Sequence, residues 1–471
     1  RAKYLYAAAV IRRDELEDLP GAVALLNRAL DDAPDLTKAF DAIERILSEI
    51  GAWKELARNY RRMIKRLPAE GLSDLRLRLW SGLGDVSLTE LEDPEMAATA
   101  LEVAASLDPD NVERHERLAD VYVAAGPSHH DKAIAEHQWL VARSPERLAS
   151  YRALASLYAA VGAHDKLWCV AATLSFLRKA DAELEQFYEA HRPRELRAAS
   201  RPLDDEAWLK VLHPAEDRFI DAVFMLLGGY VASATAQQHP NLGLRRKDRV
   251  DVATDQRVPT RALRYVAETL EVGTPDLFFK ESEPRSLSLV NLQEKGALTP
   301  AIVIGKGIEQ RASEAELVFE MGRSLAFLRP ERFVRAAVPS APALEVALRA
   351  ALALAGLGGG ASADVERFAT DLARVVPKPV VDQLAGVTRK LVAARGDALD
   401  VPAWMVAADL TAARAGFALT SDLSAAARVI SSEPSGGGSG ATTKQRLEDL
   451  LAYSVSEDYF AVRRALGFEI A

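Results

Sequence analysis

The chain has 471 residues, 49% of them hydrophobic and 27% charged, which is enough apolar surface for at least two buried cores. A formal net charge of −9 excludes the broad basic footprint that nucleic acid or an anionic membrane face requires. A single cysteine, Cys169, excludes an intramolecular disulfide and a thiolate metal cluster, and makes a reducing cytoplasm the expected setting.

No charged segment followed by an apolar one opens the chain, and no run of about 18 apolar residues follows, so no membrane insertion is expected. The first residue is Arg1 rather than methionine, from which a fragment or processed form with sequence upstream is expected.

An internal period comes first. Pro34 and Pro68 lie 34 residues apart, and the positions before them match in pairs: Tyr6 with Phe40, Ala22 with Leu56, Leu26 with Tyr60, Ala29 with Met63. The frame continues through Ala97, Leu101, Ala104 and Pro109, then Ala133, His137, Leu140 and Pro145, and a fifth copy runs from Tyr151 through Leu174. Small residues let two helices approach, bulky ones fill the contact, and each proline ends a helix. The intervals Pro68 to Pro109 (41 residues) and Pro109 to Pro145 (36) predict insertions, the shorter at Gly126-Pro127-Ser128.

This frame resembles the tetratricopeptide repeat. The resemblance implies about five helix hairpins over 1–195, stacked into an α-solenoid whose first helices line a concave face that binds a protein or peptide. Lys38, Asp41, Arg45 and Arg152 are the polar positions of those helices and the candidate partner-binding residues, set against the plainer reading that they are solvated charges. His129, His130 and His137 could suggest a metal site, but no further ligand completes it and His137 falls on a core position, so no metal is expected there.

A linker is expected over 196–212, then a second domain over 213–471. The block 219–231 reads as a buried helix with Gly228-Gly229 as a contact or a break. Leu277-Phe278-Phe279, Leu287-Ser288-Leu289-Val290 and Ala301-Ile302-Val303-Ile304 read as three short strands, bounded by Pro275, Pro284, Gly296, Pro300 and Gly305. Ser313 and Glu316 form a capping box ahead of a helix through Leu328. Gly358-Gly359-Gly360 and 434–440 read as flexible loops, and 447–468 as one amphipathic helix that packs back on the domain.

Strands followed by a capped helix in this pattern resemble the gluzincin metallopeptidases, whose helix carries His-Glu-x-x-His. Aligned on Gly322, Leu325, Ala326 and Leu328, the resemblance puts Arg323 and Phe327 at the two histidines and Ser324 at the glutamate. Downstream, Ala412 and Gly416 match the motif of the third ligand, which puts Asp409 at that ligand and Ala413 at the orienting aspartate. It implies a mostly helical α+β domain with a small sheet and no zinc. Independently of ancestry, no histidine follows His239 and no cysteine follows Cys169, so the last half lacks the usual ligands of a catalytic zinc. These replacements suit a site converted to packing; the alternative is that Arg323 and Asp409 pair as a buried salt bridge.

Three other signals are weaker. Gly305-Lys306-Gly307 lacks Walker spacing and reads as a strand-end turn. Ser324 has no histidine to activate it, although a Ser–Lys dyad stays open. Glu316 and Glu320 read as a solvated helix face rather than an acid/base pair. The expectation is a mainly α, non-enzymatic scaffold or adaptor without a cofactor. The alternative is a hydrolase with an unconventional active site, and a third reading makes further repeats of the same polypeptide the partner.

Overall fold

The computed structural model describes residues 1–68, 71–280, 287–311, 313–357, 362–396, 398–433 and 440–470, with the side chains of 309–311 left aside. Pro284, the Gly358-Gly359-Gly360 run and 434–439, expected to bound a strand or form loops, lie outside the described residues. The chain divides into two compact units, Arg1–Gly162 and Ala163–Ala471.

The first unit is helical throughout: α1 (Ala2–Asp14), α2 (Leu19–Asp32), α3 (Thr37–Glu49), α4 (Trp53–Arg66), α5 (Ser73–Thr89), α6 (Pro94–Leu107), α7 (Val112–Ala125), α8 (His130–Arg143) and α9 (Leu148–Ala160). Each helix packs on the next in hairpin order, the arrangement that the 34-residue frame requires. Ala22, Ala29, Ala39, Ala97 and Ala133 are fully buried where the helices meet. Asp18 and Asp93 cap α2 and α6 by accepting from the N–H groups of Gly21 and Met96, each with a proline in the first helical turn. The longer interval is taken up partly by α5, which has 17 residues against 13 or 14 in the others. The shorter is a single 3-10 turn, Pro127–His129, at the expected place.

The second unit opens with α10 (His164–Phe176), α11 (Ala182–His191), α12 (Asp205–Val211), α13 (Arg218–Thr235) and α14 (Val258–Thr269). Then come β1 (Asp276–Lys280), β2 (Leu287–Val290), β3 (Gln293–Glu294), β4 (Ala297–Leu298) and β5 (Ala301–Gly305). The remainder is α15 (Lys306–Arg311), α16 (Glu314–Leu325), α17 (Pro330–Ala337), α18 (Ala341–Leu354), α19 (Ala363–Val375), α20 (Lys378–Arg395), α21 (Val401–Thr420), α22 (Leu423–Ser432), α23 (Thr443–Tyr453) and α24 (Glu457–Leu466). All three expected strands form. β5 lies centrally, parallel to β1 and antiparallel to β2, and β3 pairs with β4 in a separate hairpin. β5 is buried along its whole length, as a central strand covered by helices must be.

Helix α21 organises this unit. It is buried almost all round, so its apolar residues serve two cores: Val401, Trp404 and Met405 one, Ala412, Ala415, Ala418 and Leu419 the other. The first core joins α13 and α17 to α20; the second joins the sheet to α12, α14, α16 and α24. Helix α13 is long and apolar enough to cross a membrane by length and composition, yet Ile220, Phe224 and Leu227 bury it in the first core. Gly228 proves a contact and not a break: a Cβ there would lie 3.2 Å from the Pro330 carbonyl of α17, and α13 runs straight through it.

The unit boundary differs from the expected one near 195. Helix α10, read as the end of a fifth repeat, belongs to the second unit, where Asp165 pairs with Arg463 at 2.6 Å and Thr173 hydrogen-bonds Ser454 at 2.9 Å. The expected linker is ordered too. Ser200 N–H donates to the Leu466 carbonyl, and α12 within it buries Trp208. The expected C-terminal helix is two, because Ser456 caps α24 three residues after α23 ends. Gly305-Lys306-Gly307 is no turn, since α15 starts directly at Lys306.

Candidate functional site

The capping box of Ser313 and Glu316 starts α16 as expected, with both reciprocal hydrogen bonds at 3.2 Å. α16 then crosses α21 where two glycines meet, and that crossing brings the C-terminal end of α16 beside Asp409. Arg323, Ser324, Phe327 and Asp409, assigned from distant stretches, consequently line one cleft of about 240 Å³. Leu289 of β2, Arg335 and Ala336 of α17, Glu433 at the C-terminal end of α22 and Arg446 of α23 complete it.

The Arg323–Asp409 salt bridge, the alternative to a packed site, does not form. Arg323 pairs with Glu433 instead, and Asp409 accepts from Arg335 Nη2 at 3.0 Å and from the Ala441 N–H at 3.1 Å. Arg446 joins the two halves: Nη1 pairs with Glu433, and Nη2 lies 3.6 Å from Asp409. Asp409 and Arg335 pack together against Gly440, where a Cβ would be 2.2 Å from Asp409 Oδ2 and 2.8 Å from Arg335 Nη2. Ala413, the expected orienting position, is buried in apolar packing.

Charge in the cleft is shaped by burial and by the arginines. Burial works against the Glu433 carboxylate, but Arg323 and Arg446 outweigh it and hold its carboxyl below the usual range. Glu320, one turn before Ser324 on α16, is half-buried rather than the solvated residue expected; burial, aided by Glu433 and Glu316 against Arg323, pushes its carboxyl up to about 7. Glu316 itself pairs with Arg428 of α22.

As a metal centre the donor set is poor. Among the described residues, three guanidiniums surround the two carboxylates that line the cleft, and a divalent ion would have to displace them against their charge. Among the described residues, no group of three or more His, Cys, Asp or Glu converges. Two of the three candidate histidines of the first unit are otherwise engaged: His129 stacks on Tyr122, and buried His137 faces the Ser150 hydroxyl at 3.3 Å.

In the repeat array, Lys38, Arg45 and Arg152 are exposed, but Asp41 is engaged by the next repeat through Arg78 at 2.7 Å. Arg78 also pairs with Glu44, Arg117 with Asp85, and Arg147 with Glu116. The first helices of successive hairpins are thus tied by arginine–carboxylate pairs, which the sequence frame did not reveal because each partner lies about one repeat away.

No family model matches the chain, and no curated protein does. Among solved structures, MamA matches at 16% identity with a TM-score of 0.25, over 38% of this chain and 90% of its own. YrrB, described as a TPR protein with an unusual peptide-binding site, matches at 16% and 0.25 over 41% of this chain and 88% of its own. TTC0263, a thermophilic TPR protein of Thermus thermophilus, matches at 21% and 0.20 over 40% and 98%. The fold is mainly α, a tetratricopeptide-like helical array followed by a mostly helical unit with a small sheet, and it rests on the helix order and packing described above.

Proposed function

We propose that the protein is a non-enzymatic scaffold or adaptor whose helical array recognises a protein or peptide and whose second unit is a peptidase-like module without catalytic zinc. The carrying observation is the cleft: the positions that the gluzincin resemblance assigns to the zinc site do converge, and they hold Arg323, Ser324, Phe327 and Asp409. A guanidinium and a phenyl group in place of the two imidazoles, with a hydroxyl in place of the glutamate, leave no way to hold a Lewis acid and activate its water. Exposed Lys38, Arg45 and Arg152 are the first residues to test for partner binding, and a cytoplasmic setting belongs to the same proposal.

One observation favours the alternative hydrolase. Glu320, with its raised pKa, lies one turn from Ser324, and such a carboxyl can exchange protons near neutral pH. Metal analysis of the purified chain, with peptide and ester hydrolysis assays, separates the two. No stoichiometric metal and no turnover sensitive to Ser324→Ala are expected; either would overturn the non-enzymatic reading. Joint replacement of Lys38, Arg45 and Arg152 by alanine should abolish co-purification of the partner that the wild-type chain retains.

A further inference from the structure

The cleft carries a surplus of one sign. Arg323, Arg335 and Arg446 come from three different helices, and Glu433 and Asp409 face them, so among the described lining residues three positive charges meet two negative ones. A solvated helix face would spread such residues apart. Here they converge, and each is held: Arg323 and Arg446 by the two oxygens of Glu433, Arg335 by Asp409.

The hydrogen-bond inventory is unbalanced in the same direction. Each guanidinium carries five donors, whereas the two carboxylates offer four oxygens, one of which also accepts from the Ala441 N–H. Among the described residues, Arg335 Nε and Arg446 Nε are buried and have no acceptor. The side chains of Arg323 and Arg446 keep 16% of their surface exposed and that of Arg335 13%, and all three line the cleft. Ser324 adds a hydroxyl on one side, and Phe327 and Leu289 an apolar wall.

We infer that this cleft binds a small oxyanion, a carboxylate or a phosphate bearing a short apolar group, in a fork supplied by Arg323, Arg335 and Arg446. Planar guanidinium edges match such oxyanions in two-point hydrogen bonds, and preordered arginines lose little freedom on binding. The apolar wall would receive the carbon attached to the anion. The inference rests on the arginines alone and holds whether or not the unit descends from a peptidase.

The test is titration of the full-length chain with inorganic phosphate and, separately, with acetate, against chloride at matched ionic strength, followed by calorimetry and by the thermal midpoint. Saturable binding of at least one is expected; the tighter of the two names the anion class. Arg446→Gln should weaken it at least tenfold. Phe327→Trp narrows the cleft without altering any charge and should weaken it similarly, which keeps the test decisive if the arginine variant folds poorly. Absence of saturable binding by both anions, or unchanged affinity in both folded variants, would overturn the proposal.

Discussion

Gly322 of α16 and Gly416 of α21 face each other where the two helices cross: a Cβ on Gly322 would lie 2.9 Å from Gly416 Cα, and one on Gly416 would lie 2.4 Å from the Phe319 carbonyl oxygen. Both are fully enclosed helix-interior glycines, so close backbone approach is the reason for them. Gly416→Ala should destabilise the second unit by about 1–3 kcal/mol, because the helices must separate and repack two cores. Gly229, with open space around it, is the control: Gly229→Ala should be neutral or slightly stabilising. Chemical denaturation of both variants checks the contrast, and equal effects would refute the close-crossing account.

Arg463 is nearly fully buried and holds both oxygens of Asp165, at 3.0 and 2.6 Å. Asp165→Ala strands that guanidinium, at an expected cost of about 3–5 kcal/mol. Arg463 keeps the Phe468 carbonyl and Ser421 hydroxyl as partners, which favours the lower end. Because Asp165 belongs to the second unit, calorimetry should show that unit's transition moving while the array's stays. A shift of the array's transition instead would return α10 to the repeats.

His137 is held neutral, its pKa lowered to about 4 by burial and secondarily by Arg147. Unfolding restores an ordinary imidazole, which binds a proton near 6.5, so the unfolded state gains protons first. Stability should therefore fall as pH drops from about 6.5 toward 4, by up to about 3 kcal/mol from this residue. His137→Gln should flatten that part of the profile for the first unit, as read by denaturation midpoints at pH 7.5 and 4.5.

Asp221 behaves with the opposite sign. Burial and then the nearby Glu216 raise its pKa to about 7, against the Trp404 N–H that donates to it at 2.8 Å. The folded state thus holds a proton that the unfolded state loses near 4, so stability declines as pH rises from about 4 to 7. Asp221→Asn keeps an acceptor for Trp404 and should stabilise the protein on the order of 1–3 kcal/mol at pH 8 relative to wild type. The same substitution should give little gain at pH 4. A gain independent of pH would exclude titration of Asp221 as its cause.

Local signals were legible from the sequence where neighbours along the chain decide the outcome. The prolines and alanines of the repeat frame, the capping box at Ser313 and the composition of the three strand runs are local signals, and all appear where expected. Signals that depend on packing partners were not. The linker and the fifth repeat looked independent of the second domain because charge and proline content mark a surface segment. Asp165, Trp208 and Ser200 are anchored by residues more than 50 positions away, and no local pattern encodes that. Gly440, read as part of a flexible run, instead lies over Asp409 because no side chain fits there.

One property of the cleft was determined by sequence alone: with no histidine after His239 and no cysteine after Cys169, whatever gathered there had to do without imidazole and thiolate. The tertiary structure decided which side chains meet there. Arg323 lies closer to Glu433 than to Asp409, and Arg335 and Arg446, which nothing in the local sequence singled out, supply the rest of the charge. Ion pairing follows distance through space, and those distances were set by two glycines that let α16 and α21 cross in contact.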